Sequence, residues 1–356
     1  MFTQKRLLFT QKRLSFRSML VWTKRDLLYY TIIATSFTIL YELFDLKWLQ
    51  IPLAPIALIG TAVAFLLGFQ NNAAYDRIWE ARKIWGGVVN TSRSFIITVR
   101  DSFYVENDEA YKDETETIKK ITHRHVAWLN AFRYAMRSKK NWESFYGVYS
   151  GKSKFNYYVP EFTESLEEAL KPHLSQEDFE YVMTIDNKPN AIISLQSKHL
   201  RQLNKENKIW SFSLLRLQGM LEELTALQGK SERIKNFPYP KQYESVGYHF
   251  VQLFKWIIPL ALIPAFDQMG LDMIDEHPFI AEEFIWMNIP VTVFVIWVFN
   301  TMLRVGHAGE NPFEGSPQDV PISTISRGIT KDILQLIDEE PEKIPPSFES
   351  VNGVDM

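Results

Sequence analysis

The 356-residue chain contains no cysteine, which excludes disulfide bridges, thiolate metal sites and a cysteine nucleophile. It has little net charge, −3, so no broad nucleic-acid footprint is expected. No stretch alternates apolar and polar residues over the length of a strand, which points to an all-α protein. No nucleophile sits with a base, no residues show metal-ligand spacing, and no glycine loop could cradle a phosphate, so neither enzyme chemistry nor a cofactor is expected. Three local absences say more. Residues 1 to 25 have seven Lys or Arg and no acid; residues 267 to 283 have six acids and no Lys or Arg; and Trp48 to Tyr75 has no charge at all.

That last stretch, WLQIPLAPIALIGTAVAFLLGFQNNAAY, exceeds the roughly 20 apolar residues that carry a helix across a bilayer. It passes straight into DRIWEARKIWGG, a charged segment of helix formers with only Gly68 to weaken it between Phe65 and Trp85. One helix therefore leaves the membrane and continues into water, a construction suited to an ion channel. Three other segments are read as spans: the 15 uncharged residues between Asp26 and Glu42, Ser245 to Phe266, and the uncharged run from Phe284 to Leu303. The 25 Phe and ten Trp suit membrane-interface belts.

The domain plan follows. Residues 1–25 form a basic amphipathic segment containing the duplication FTQKRLL/FTQKRLS; 26–75 hold two spans, the second helix continuing to about 95; 76–244 are a helical cytoplasmic region. Residues 245–303 hold the remaining two spans, 304–338 a cytoplasmic segment, and 339–356 a mobile acidic tail. Within the middle region, helices are expected over 114–140, 163–184 and 190–228, the last ending near Gly229. The charge contrast sets both termini in the cytoplasm and the acidic segment outside by the positive-inside rule. No small-residue cleavage site follows an early apolar run, so no cleaved leader is expected. The predicted protein is an all-α, multi-pass protein of the cell membrane, with the lipid bilayer as its solvent partner.

The run FLLGFQNNAAYDRIWEARKIWGGVVNTSRSF (65–95), the ENPFE segment at 310–314 and the two-plus-two arrangement of spans resemble a bacterial bestrophin. The likeness covers roughly residues 20 to 330. It implies a homopentameric ion channel with one central pore and a mainly helical cytoplasmic part, located in the inner membrane if the source is bacterial. The family's pore neck, counted back by four from Phe69, falls on Phe69, Phe65 and Thr61, which share a helix face. Two phenylalanine rings would form a constriction that gates by dewetting, and the Thr61 hydroxyl, where a branched aliphatic residue is usual, would wet the outermost ring. The alternative is that both phenylalanines pack between helices. The family's inner aperture corresponds to Ile192 in KPNAIIS, with Ile193 an open alternative.

Eukaryotic members bind calcium through backbone carbonyls and an acidic cluster after the Asn-Pro-Phe segment. Here NPFEGSPQDVP offers only Glu314 and Asp319, too few carboxylates for a calcium ion, so neither a metal site nor calcium activation is expected. Bacterial relatives resemble sodium- and potassium-permeable channels. A ring of Asp267, Asp272, Asp275, Glu276, Glu282 and Glu283 at the outer entrance would favour monovalent cations. Cation conduction is the leading expectation, an anion channel of the same fold the alternative, and a secondary transporter the third. Lys255, mid-span, is either a functional candidate as an intramembrane charge or an interfacial residue that snorkels or pairs with a neighbouring subunit. His123 and His125, two apart, point to different helix faces.

Overall fold

A computed structural model describes residues 16–103, 108–143, 158–281 and 283–348. The duplication at 2–15 lies outside the described residues. Apart from one bridge between Phe103 and Ile209, the regular structure among them is helical. The principal helices are α1 (Phe16–Glu42), α2 (Leu53–Arg100), α3 (Asp108–Arg137), α4 (Gln176–Thr184), α5 (Lys188–Lys205), α6 (Ser211–Asn236), α7 (Lys241–Asp272), α8 (Asn288–Ala308) and α9 (Ile322–Leu336). The chain divides into two units, one of Lys12–Asp76 with Tyr239–Glu310, the other drawn mainly from Arg77–Pro238 and Asn311–Met356.

The 48 residues of α2 form one unbroken helix, past the expected end near 95. At 1.5 Å per residue it is about 70 Å long, more than twice the hydrocarbon thickness of a bilayer. Among the described residues, three stretches are long and apolar enough to cross a membrane: Lys47–Arg100, Lys241–Asp272 and Phe284–Ala308. Helix α1 is not among them, because its uncharged stretch falls short of the thickness it would have to cross.

In the first unit α1 runs antiparallel to α8 through polar contacts at its start, middle and end. Trp297 Nε1 donates to Thr23 Oγ1 at 2.8 Å, Arg304 pairs with Asp26 at 2.7 Å, and Asn288 Nδ2 donates to Thr38 Oγ1 at 3.0 Å. Such bonds hold helices together where lipid gives them no hydrophobic reason to associate. Apolar packing is split into small clusters, chiefly Tyr30, Ile56, Phe254, Ile258, Ile296 and Trp297, and Val63, Leu67, Val251 and Leu303. Lys255 is buried with its ammonium 5.5 Å from the centre of the Tyr30 ring. Helix α7 contains Pro259 and Pro264. Proline lacks the N–H that would bond four residues back, so Pro264 frees the carbonyl of Leu260. The Ile51 N–H, just ahead of α2, donates to that carbonyl at 3.2 Å.

The second unit has one large core. Trp85 stacks on Phe132 at 4.9 Å, and Trp128 stacks on the same ring at 5.4 Å. Arg77 donates to the carbonyls of Ile234 and Phe237 at 3.0 and 2.8 Å, closing the C-terminal end of α6. The expected helix over 190–228 is two helices, because Asn207 takes a left-handed φ of 57° after α5. Gly229 lies inside α6 instead of ending it. The segment expected over 163–184 likewise breaks into single turns at Pro160–Thr163 and Leu166–Leu170 followed by α4. Ser175 and Asn187 cap α4 and α5 through their side-chain oxygens, with Pro189 in the first turn of α5. The expected mobile tail is anchored in part. Glu339 is buried against His123 at 2.9 Å, and the Phe348 ring lies 4.2 Å from the Arg327 guanidinium carbon.

Charges are sunk deep into this core. Glu161 is fully buried, bonded to Arg133 and accepting from Ser323 Oγ at 2.7 and 2.9 Å. Breaking a buried pair from one side strands the other charge, at a cost of about 3–5 kcal/mol. Glu161→Ala is therefore expected to lower the thermal midpoint strongly, whereas Arg93→Ala, which breaks an exposed pair with Asp332, leaves it nearly unchanged. Equal midpoints in a melting experiment would show that the Arg133–Glu161 pair contributes nothing.

Candidate functional site

Along α2 one face is buried and one is free. Ile56, Val63, Leu67 and Gln70 face the other helices of their unit. Leu58, Phe65 and Phe69 are 75, 66 and 69 % exposed, and Thr61 lies exposed on the same stripe. In this chain, then, Phe65 and Phe69 do not pack between its own helices. Residues four apart fall nearly above one another, so Thr61, Phe65 and Phe69 form a continuous ladder over about two turns. The Thr61 hydroxyl donates to the Ala57 carbonyl at 2.9 Å, which ties down its proton within its own helix. A helix this long and apolar, with so large an apolar face left uncovered by its own chain, is one that could cross a membrane.

Ile192 is 1 % exposed and sits in the core of the second unit, while Ile193 beside it is half-buried. The described acids of the outer segment differ in their settings. Asp267 is half-buried in α7 and accepts the Tyr41 hydroxyl at 2.8 Å; Asp272, at the end of α7, accepts from Gln268 at 2.7 Å. Asp275, Glu276 and Glu283 are exposed, and Glu282 lies outside the described residues.

The segment after Asn311-Pro312-Phe313 is closed by its own side chains. Asp319 accepts from the Gly315 and Ser316 N–H groups at 2.6 and 3.1 Å, from Ser316 Oγ at 2.5 Å and from Arg137 at 3.3 Å. Lys235, bonded to Glu143, contributes a second buried cation close by. Sequence reading missed Arg137 and Lys235, because they lie 182 and 92 positions from the partners they meet. The expected divergence of His123 and His125 is observed. His123 meets His173 at 3.1 Å as well as Glu339, whereas His125 is packed between Phe95 and Trp128, where burial pushes its pKa down to about 3.

A helical membrane protein with this exposed apolar ladder and this self-closed loop is the class the fold defines. Residues 3–274 match the family model described as "Bacterial/Fungal Bestrophin protein", and the chain belongs to that family. A crystal structure of a bacterial bestrophin homologue from Klebsiella pneumoniae shares the fold with a TM-score of 0.70, at 21 % identity over 88 % of this chain and 98 % of that one. YneE of Escherichia coli K12, named a voltage-dependent anion channel-forming protein, is 24 % identical over 311 residues, 85 % of each chain. The Ralstonia nicotianae protein RSc3414, named in the same way, is 26 % identical over 298 residues, 82 % of this chain and 81 % of its own.

These names overturn the expectation of cation conduction drawn from the acidic outer segment. The physical reason lies in that segment's geometry. Its described acids are bonded to neighbours or stand in open solvent, where a charge is screened within about 8 Å at physiological salt. A tally of like charges in sequence is not a ring around a path.

Burial lifts the Glu314 carboxyl to about 8, aided by the nearby Asp319 and Glu143 carboxylates, and it lifts Asp319 as well. Between the ordinary carboxylate range and that raised value the folded chain holds a proton that the unfolded chain has released, so stability falls as pH rises. The thermal midpoint is expected to drop from pH 5 to pH 8.5, with Glu314→Gln flattening most of that slope. A slope left intact in Glu314→Gln would assign the pH dependence elsewhere.

Proposed function

We propose that the chain assembles as a homopentamer and forms an anion-conducting channel whose axis is lined by the exposed face of α2. The observation that carries the reading is the continuous ladder of Thr61, Phe65 and Phe69 on a spanning helix of a bestrophin-family chain. The names of the curated relatives support the choice of anion. The physics allows it: the edge of a phenyl ring is positive and its face negative, so rings presenting their edges to the axis would favour a partly dehydrated anion. Five copies of Phe65 and Phe69 would form the narrow neck.

In this reading α1 serves as the fourth span, despite its short apolar stretch, because its polar contacts hold it along α8. The basic start and the acidic outer segment support cytoplasmic termini in a multi-pass cell-membrane protein. In this reading the inner aperture falls on the second turn of α5, and of its two isoleucines the half-buried Ile193 is better disposed than the core residue Ile192.

Purified protein in a planar bilayer under a KCl gradient is expected to give currents reversing near the chloride potential. Reversal near the potassium potential would overturn anion conduction. The double variant Phe65→Ala, Phe69→Ala is expected to raise single-channel conductance severalfold; an unchanged conductance would move the pore off this face of α2.

A further inference from the structure

The first turn of α7 and the last turn of α8 bring three potential metal ligands together. Glu244 stands at the start of one helix, His307 at the end of the other, and Glu310 follows three residues later. One ligand atom from each lies within 4.8 Å of the other two. His307 Nδ1 is 3.3 Å from Glu310 Oε1 and 3.7 Å from Glu244 Oε1. A tetrahedral ion with bonds of about 2.0–2.1 Å sets its ligand atoms roughly 3.3–3.4 Å apart; His307 and Glu310 already stand at that spacing, and Glu244 would move inward to join them.

A second, independent feature lies behind the triad. Gln70 of α2 is 2 % exposed and donates its Nε2 to Glu310 Oε1 at 3.1 Å, while its Oε1 has no hydrogen-bond partner. Asn71 Oδ1, also buried, is equally without a partner. Room for both amides is kept by glycines on the ligand-bearing helices. A Cβ on Gly247 would come within 2.7 Å of Gln70 Oε1, and one on Gly306 within 2.4 Å of Asn71 Oδ1. Buried acceptors without donors are costly, and they are expected where a bound ion's water molecules would supply the missing hydrogens.

The geometry points to a zinc site formed by Glu244, His307 and Glu310, with Gln70 orienting Glu310 and water completing the coordination. An imidazole beside two carboxylates suits zinc; calcium and magnesium prefer shells built of oxygen alone. The amide of Gln70 holds the carboxylate in the way outer-shell partners fix metal ligands. Bound zinc would tie together the ends of α7 and α8 that lie away from the acidic segment. This assignment does not depend on which ion the protein conducts.

Full-length protein in detergent, stripped with a chelator, is titrated with zinc chloride by calorimetry, and its metal content is measured by mass spectrometry after desalting. One zinc per chain is expected. His307→Ala is expected to weaken binding at least about 100-fold, and Gln70→Leu about 10-fold, within the range that outer-shell changes cost. Glu244→Gln, a conservative change at a half-buried site, keeps the test decisive if His307→Ala does not fold. Zinc binding unchanged in Glu244→Gln, or lost in His173→Ala while His307→Ala binds normally, would overturn the assignment; the second outcome would place the metal at His123, His173 and Glu339. Displacement of zinc by millimolar calcium would overturn it too.

Discussion

The structure depends on the hydrogen-bond ladder of α2. A bilayer offers no water to bond exposed backbone groups, so the chain within it must satisfy every N–H and C=O internally, and a helix does this along its own axis. Because nothing interrupts the ladder between Leu53 and Arg100, the same helix supplies Val63 and Leu67 to one core and Trp85, Val88 and Phe95 to the other. Its side chains change character along its length while its backbone does not. The apolar ladder and the Trp85 that stacks on Phe132 are carried by the same helix.

The two units solve opposite problems. In the first, apolar surface is plentiful and gives no reason to associate, so specificity comes from a few polar contacts, Trp297 with Thr23 and Asn288 with Thr38. In the second, water supplies the drive to bury, and the core is large enough to enclose charge. Arg133, Arg137 and Lys235 enter it only alongside Glu161, Asp319 and Glu143. The segment after Asn311-Pro312-Phe313 is held by one of these cations. Asp319, directing its lone pairs to Gly315, Ser316 and Arg137, makes the turn complete from within the chain.

What the sequence made legible and what it hid follow the same division. Uncharged runs mark α2, α7 and α8 because a bilayer demands length and apolarity, both local properties. Ser175 and Pro189 mark helix starts for equally local reasons, whereas the cap of α5 is Asn187 and not the neighbouring Asp186. The break at Asn207 was invisible, since neither glycine nor proline marks it and only the left-handed φ ends the helix. The acids at 314 and 319 could be seen, but not the cations beside them, because nothing local ties Arg137 or Lys235 to partners so distant in sequence. The acidic outer segment shows a further limit: sign and number of charges can be read from sequence, but their placement around a path cannot. Resemblance supplied the neck residues, and the exposure of Phe65 and Phe69 adds what spacing alone could not, that this face is left free by the chain's own helices.

Pro264 gives the bond from Ile51 a wider meaning. A proline inside a helix is usually counted as a defect, since it leaves a carbonyl without its donor. Here the carbonyl it releases, that of Leu260, is the acceptor that fixes the chain just before α2 begins. A residue with an N–H at 264 would reclaim that carbonyl for α7 and set the entrance of α2 loose. The flaw in one helix is the mooring of the next, and repairing it would complete the hydrogen bonding of α7 at the expense of the helix that contributes to both cores.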